Sequence, residues 1–343
     1  MKALVYEGSG RLALAEREVP TIGEDEVLIR VSHVGICGTD MLVAHDGLAR
    51  VKPPVVLGHE FSGYVERVGN PASSLQPGDR VVVEPLVTCG SCSACASGSY
   101  NVCAAFKLIG VDVDGAMAPY VKVPEKTVYR IQDATAMEDA AFVEPLAVGV
   151  HMVRMSGLQA RQTAMIAGGG PIGLIAAKVA QLKGADVYVS EVNPFRIEFA
   201  KALGFSLMNP QEQNVAQALK AATGGYGAHV TFEATGTNHG WNDCIEAAGT
   251  HGTVLIAGLP KKPPTIDGYQ LVAKELKVVG SRVYTAEDYR EAIRLIEDGL
   301  FRPQHYISKT IPLDEAIEHG FQAIDRGEPV MKILIQMNPN EGR

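Results

Sequence analysis

Four of the six cysteines, Cys89, Cys92, Cys95 and Cys103, fall within 15 residues, spaced by small side chains such as Gly90, Ser91, Ser93, Ala94 and Gly98. Thiols at that density either oxidise in pairs or share a metal ion. A disulfide framework suits a short secreted chain; this one has 343 residues, and its first residues lack the apolar core of a signal peptide. Four thiolates around one tetrahedral ion is the better reading. Zn2+ fits, because it accepts sulfur and needs no redox partner. An iron–sulfur cluster is the rival, but the fourth cysteine is not followed by proline and a second cluster motif is missing. A closed four-thiolate site leaves no position for substrate, so this zinc would be structural.

A second set of ligands is spread more widely: Cys37, followed by Gly38, Thr39 and Asp40; His59 with Glu60 beside it; and Glu144, directly before Pro145. Singly, each has an ordinary explanation as a small buried thiol, a hydrogen-bonded imidazole or a solvated carboxylate. Together, one thiolate, one imidazole and two carboxylates suit a zinc that keeps a position open for water or substrate. Proline favours the first helical position, which places Glu144 at the N-cap, where Glu is a poor choice. A role other than capping is therefore expected for it.

The third constellation is a glycine turn. Residues 163–167 form a short apolar strand, followed by Gly168, Gly169, Gly170, Pro171, Ile172 and Gly173, then an amphipathic run to Lys183. A second strand, 186–190, ends at Glu191, 18 residues beyond Gly173. This strand–turn–helix context with a later acid is what dinucleotide binding needs. Gly168 makes the tight turn, Gly170 admits the pyrophosphate, Gly173 lets helix and strand pack closely, and the helix N-terminus receives the phosphates. Glu191 would accept hydrogen bonds from the ribose hydroxyls of NAD and repel the 2′-phosphate of NADP, while Arg196 either covers the adenine or is a surface charge. A generic strand–helix turn in some other α/β domain is the alternative.

These motifs resemble those of the zinc-dependent medium-chain dehydrogenases/reductases, the alcohol dehydrogenase superfamily, in its sorbitol, butanediol and threonine dehydrogenase branch. Gly58, His59, Glu60, Gly63 and Gly69 are similar to the family's zinc signature, Cys37 to Asp40 to its first-ligand motif, and the four close cysteines to its structural-zinc loop. The resemblance implies two zinc ions per chain and NAD as cofactor, with the catalytic zinc on Cys37, His59 and Glu60 or Glu144. It also implies a proton passed outward by Thr39, and cofactor contacts from Ile172, Ala257, Gly258, Leu259, Ser281, Arg282 and Val283. Where several branches carry a histidine five residues after the ligand cysteine, this chain has Leu42, with His45 three residues on. The implied reaction moves a hydride from a secondary alcohol of a polyol, sugar or sugar acid to NAD. Butanediol-type and L-threonine dehydrogenases are the nearest alternatives, and a non-catalytic NAD-binding zinc protein is one of another class. A homotetramer or homodimer is implied.

The elements that must position these residues follow the same plan. The implied fold is α/β: a GroES-like β-barrel catalytic domain over residues 1–150 with both zinc sites, a Rossmann doubly wound parallel sheet over 151–285, and a return to the first domain over 286–343. Strands at 163–167, 186–190, 229–234, 253–256 and 277–280 alternate with helical runs, as a parallel sheet requires. From Glu287 the pattern changes to a helix and short strands, and residues 338–343 read as a frayed tail. Composition narrows the rest. The chain is 46% hydrophobic and 20% charged, which excludes extensive disorder. A net charge of −8 without a basic run argues against nucleic acid as a partner. The run 163–182 is broken by Gly and Pro, which argues against a membrane span. The expected setting is the cytoplasm and the expected partner a small-molecule alcohol.

Overall fold

The computed structural model describes residues 1–45 and 47–337, so the expected tail at 338–343 lies outside the described residues. The chain divides into two units: Met1–Glu144 together with the chain from Tyr289 on, and Pro145–Asp288.

In chain order the first unit supplies β1 (Lys2–Gly8), β2 (Arg11–Glu16), β3 (Glu26–Gly35), α1 (Gly38–His45), β4 (Glu60–Val68), β5 (Arg80–Val83), β6 (Tyr120–Pro124) and β7 (Val128–Arg130). Helix α2 (Val143–Met155) carries the boundary between the units. The second unit holds β8 (Thr163–Ala167), α3 (Pro171–Leu182), β9 (Asp186–Ser190), β10 (Ser206–Met208), β11 (Ala228–Glu233), α4 (Asn238–Ala247), β12 (Ala248–Ile256) and β13 (Lys277–Gly280). Helix α5 (Ala286–Glu297), β14 (Ile307–Pro312) and β15 (Lys332–Gln336) follow.

The first unit is built on a seven-stranded sheet ordered β7-β5-β4-β3-β15-β14, with β6 also paired to β3. Strand β3 is its organiser: it runs antiparallel to β4, β6 and β15, and its residues from Val27 to Val34 contribute Val27, Leu28, Ile29, Val31 and Val34 to the core. The β3–β4 register sets Gly35 opposite Glu60. This register requires glycine, because a Cβ at position 35 would lie 2.2 Å from Glu60 Oε2.

The second unit is a six-stranded, wholly parallel sheet ordered β10-β9-β8-β11-β12-β13. This is the doubly wound order in which the first strand lies at the switch point. Strand β8 is buried throughout and α3 packs seven buried residues toward the sheet, as a strand covered on both faces demands. Its loops 168–170, 191–193, 234–237, 257–259 and 281–283 all leave the carboxyl ends of strands and so share one rim.

The helix carrying Glu144 differs from expectation. It starts at Val143, so Glu144 lies inside the first turn and is not the N-cap. The first-turn N–H groups have no partner within a helix, so Pro145 is tolerated one or two positions further in than its favoured place. Among the described residues, no helix is long and apolar enough to cross a membrane.

Candidate active site and metal centres

The four close cysteines wrap into a lobe containing a short helix, Ser93–Ala96, and a 3-10 turn, Tyr100–Val102. Their sulfurs stand 3.5 Å (Cys89–Cys103), 3.6 Å (Cys92–Cys95) and 3.9 Å (Cys89–Cys95 and Cys92–Cys103) apart. A tetrahedral ion with Zn–S bonds of about 2.3 Å has S···S edges of about 3.8 Å, so the donor set fits zinc and does not fit a disulfide. Backbone N–H groups also aim at the sulfurs: Cys92 N donates to Cys89 Sγ at 3.4 Å and Ala105 N to Cys103 Sγ at 3.3 Å. The N–H groups of Ser91 and Cys92 pull the Cys89 thiol down to about 6, whereas burial and the neighbouring sulfurs push Cys95 up to about 11. Without a cation the four cannot all ionise together. The lobe is tied to the barrel through the buried Glu84, whose carboxylate accepts from Tyr100 Oη (2.7 Å) in the lobe and Tyr129 Oη (2.9 Å) on β7.

Cys37, His59 and Glu60 converge although the first two are 22 positions apart: one ligand atom from each lies within 4.8 Å of the others. Cys37 stands immediately before α1, where the helix N-terminus favours an anion. Asp40, fully buried in the first turn of α1, serves both ligands. Its Oδ2 accepts from the Cys37 amide at 2.9 Å, and its Oδ1 faces His59 Nδ1 at 3.5 Å. Among the described residues, neither Asp40 Oδ1 nor His59 Nδ1 has a hydrogen-bond partner. Such a carboxylate orients a ligand imidazole so that Nε2 meets the metal. Burial opposes a charge on His59, but Asp40 and Cys37 outweigh it and hold the imidazole well above its ordinary value. This is the electrostatics of a cation site.

Glu60 carries a partner of its own. Both its oxygens accept from the Lys332 ammonium, at 2.8 and 2.6 Å, and the same Nζ donates to Ile36 O at 3.2 Å. Lys332 is buried on β15, delivered across β3 by the Leu334–Gly35 register. Burial disfavours its charge, yet Glu60, Cys37 and Glu144 together raise it. Glu144 is thus part of the same electrostatic neighbourhood, and its field also acts on the buried Tyr289. It is not among the residues whose ligand atoms cluster within 4.8 Å, so the four-ligand set expected from the sequence is assembled here as three. Thr39 lies on α1 and is half-buried. His45 is exposed and paired with Asp325 at 2.9 Å.

In the second unit, Gly168 adopts φ +104° and Gly170 is the N-cap of α3, with Pro171 opening the helix and Ile172 behind it. A Cβ on Gly173 would lie 1.9 Å from Gly168 O, so the helix reaches the turn only with glycine there. Glu191 is buried and turned toward the turn. It accepts from Gly169 N (2.8 Å), Val192 N (2.7 Å) and Asn193 N (2.8 Å), with Arg196 Nη1 3.8 Å away. Gly168, Gly170, Glu191 and Arg196 line one cavity of about 690 Å3, roomy enough for the adenosine part of a dinucleotide. Ala257, Gly258 and Leu259 follow β12, and Ser281, Arg282 and Val283 follow β13, on the same rim.

Several contributors escape a reading of the sequence. Asp40 and Lys332 take their roles from register and helix phase. A lone lysine inside the apolar stretch 331–335 was the available signal, since a buried charge demands a counter-charge. Thr235, Thr237 and His239 also line the cofactor cavity. Glu233, fully buried, shapes that wall by accepting from Thr235 N (2.8 Å) and Gly236 N (3.0 Å).

Comparison with known proteins agrees with this geometry. Residues 23–133 match the family model of the alcohol dehydrogenase GroES-like domain, and 171–298 that of zinc-binding dehydrogenases. The chain is 36% identical to 2-dehydro-3-deoxy-L-galactonate 5-dehydrogenase of Pseudoalteromonas atlantica, over 99% of this chain and 100% of that one. It is 32% identical to sorbitol dehydrogenase of Bacillus subtilis over 98% of each. Among solved structures, 2R,3R-butanediol dehydrogenase from Bacillus subtilis superposes with a TM-score of 0.92 at 31% identity, covering 98% of this chain and 99% of that one.

Proposed function

Because the chain belongs to the zinc-dependent medium-chain dehydrogenases of the alcohol dehydrogenase superfamily, we propose that it oxidises a secondary alcohol of a polyol, sugar or sugar acid with NAD. The observation that carries this reading is the Cys37–His59–Glu60 cluster, a mixed sulfur–nitrogen–oxygen set unlike the closed four-sulfur lobe. A non-catalytic protein with two structural zincs would have no use for a three-donor site. The named substrates of the relatives, a sugar acid and sorbitol, support the substrate class.

When bound, zinc supplies Lewis acidity toward the hydroxyl oxygen and NAD accepts the hydride. The chain's residues do the rest. Cys37, His59 and Glu60 hold the ion, with Glu144 near enough to act on its surroundings electrostatically. Asp40 faces the imidazole with a charge that favours its Nδ1–H, and Lys332 holds Glu60 in place. The Thr39 hydroxyl passes the substrate proton outward. Glu191 meets the ribose hydroxyls and sets the preference for NAD over NADP; Gly168, Gly170 and the start of α3 receive the pyrophosphate.

A homo-oligomer, dimer or tetramer, is part of the proposal. Its support is the outer edge strand β13 together with Leu259, in the loop after β12, and Tyr269 and Val272, on the short helix Gly268–Ala273, which are 78%, 74% and 76% exposed. A cytoplasmic setting accords with four cysteines used as metal ligands. The test is a panel of polyols, sugar acids, vicinal diols and L-threonine assayed with NAD and NADP. Turnover of a sugar acid or polyol above the others is the expected outcome, and no turnover of any alcohol by zinc-replete protein would overturn the reading.

A further inference from the structure

Val283 has φ +42°, the left-handed region that β-branched side chains avoid. Among the described residues, four other non-glycine residues share a positive φ, Ser9, Arg161, His251 and Glu275; none of them is β-branched, and none lies in the loops at the carboxyl ends of the parallel strands. Such a conformation persists only where its surroundings over-determine it. On one side, Ser281 N donates to Ile256 O at 2.8 Å, fixing the exit from β13. On the other, Tyr284 is fully buried and Asp288 grips the start of α5, accepting from Thr285 N and Thr285 Oγ1, both at 2.9 Å.

Asp288 is itself held. It is fully buried, and Arg154 on α2 gives it a two-pronged bond, Nε to Oδ1 at 2.6 Å and Nη2 to Oδ2 at 2.9 Å. His151, one turn earlier on α2, sets Nδ1 2.8 Å from Oδ2. An ionised carboxylate only accepts, so Nδ1 carries the proton in this contact. A helix cap needs one acceptor. Here a buried carboxylate, an arginine fork and an imidazole converge on it, far more than the cap of a surface helix requires.

We propose that Asp288, clamped by His151 and Arg154, is a positioning residue that holds the segment 281–283 in its left-handed kink, so that the rim presents this segment to the cofactor in one conformation. This rests on the reading of the rim as the NAD site. The cap stands two residues from Val283, too near for the kink to relax without moving the cap. The kink in turn decides which backbone groups of 281–283 point off the rim.

The test is a double-mutant cycle read by fluorescence titration of NADH, with melting temperature as the control. Asp288→Asn keeps size and removes the charge; it should weaken NADH binding about tenfold, the scale of one strained residue released. Glycine adopts a positive φ without help, so in a Val283→Gly background the same replacement should weaken binding by no more than about twofold. Should Asp288→Asn not fold, Arg154→Gln runs the same cycle. Equal loss in both backgrounds, or a lower melting temperature with unchanged NADH affinity, would reduce the cluster to a structural cap and overturn the proposal. Wild-type protein that binds no NADH would overturn the cofactor reading itself, a result distinct from wild type and variant binding alike.

Discussion

Glu60 sits beside Cys37 and His59 with a counter-ion already bound, and this pairing determines how the metal site responds to change. Removing one member of a buried ion pair leaves an uncompensated charge, at a cost of about 3–5 kcal/mol. Lys332→Met should therefore destabilise zinc-stripped protein by that order and zinc-loaded protein by less, because the metal then balances Glu60; unfolding measured with and without zinc checks this. Cys37→Ser and His59→Ala should abolish turnover and lower zinc content from two ions per chain to one, while NADH still binds to the second unit. Metal analysis and NADH titration of the same preparations read both effects. Glu191 has a second task within the chain. Beside its proposed contact with the ribose, it accepts three backbone N–H groups around the glycine turn, and each left unsatisfied costs about 1–3 kcal/mol. Glu191→Ala should lower kcat/KM for NAD more than about tenfold and leave NADP no better in absolute terms. The preference then narrows only from the NAD side, as kinetics with both cofactors will show. Spacing made the four cysteines and the glycine turn legible. It could not reveal Asp40 or Lys332, whose chemistry exists only once a helix turn and a strand register bring them to the ligands.

At the scale of elements, two short pieces depend on close fits. The four-cysteine lobe has a short helix with no buried residue, so sulfur and the Tyr100–Glu84 bond hold what packing does not. Cys92→Ser should lower the melting temperature by about 5 °C or more and release one zinc, since the local fold and the metal stand together; calorimetry beside metal analysis tests it. Gly173 fails differently. Its replacement by Ala pushes a methyl into Gly168 O, so α3 must retreat from the turn, and NADH affinity should collapse with the zinc content unchanged. Alternation of strands and helices made the parallel sheet readable in advance, because its central strands carry short apolar stretches such as Val187–Val189 and Val254–Ile256 between helical runs. The first unit was harder to read. Its sheet interleaves β3, β4 and β15 from opposite ends of the chain, and periodicity cannot report which strands are neighbours. The start of α2 shows the same limit on a small scale, where proline indicated a helix start but not its position within the first turn.

For the whole molecule, the exposed edge of β13 and its apolar neighbours should mark where copies meet. Val278→Lys places a charge on that edge, and light scattering should show a smaller assembly than wild type, with each chain still folded. The discontinuous first unit bears on how the protein is made. Strand β15 inserts between β3 and β14, pairing residues nearly three hundred positions apart, and it brings Lys332 to a carboxylate synthesised long before. On the ribosome the parallel sheet emerges as one contiguous block and can close at once, whereas the sheet of the first unit must wait for β15. Until then Glu60 has no ammonium to meet. A nascent chain can thus close its nucleotide sheet before β15 exists, whereas the carboxylate beside Cys37 and His59 gains its counter-charge only afterwards, so the order of synthesis separates the making of the cofactor sheet from the completion of the metal site.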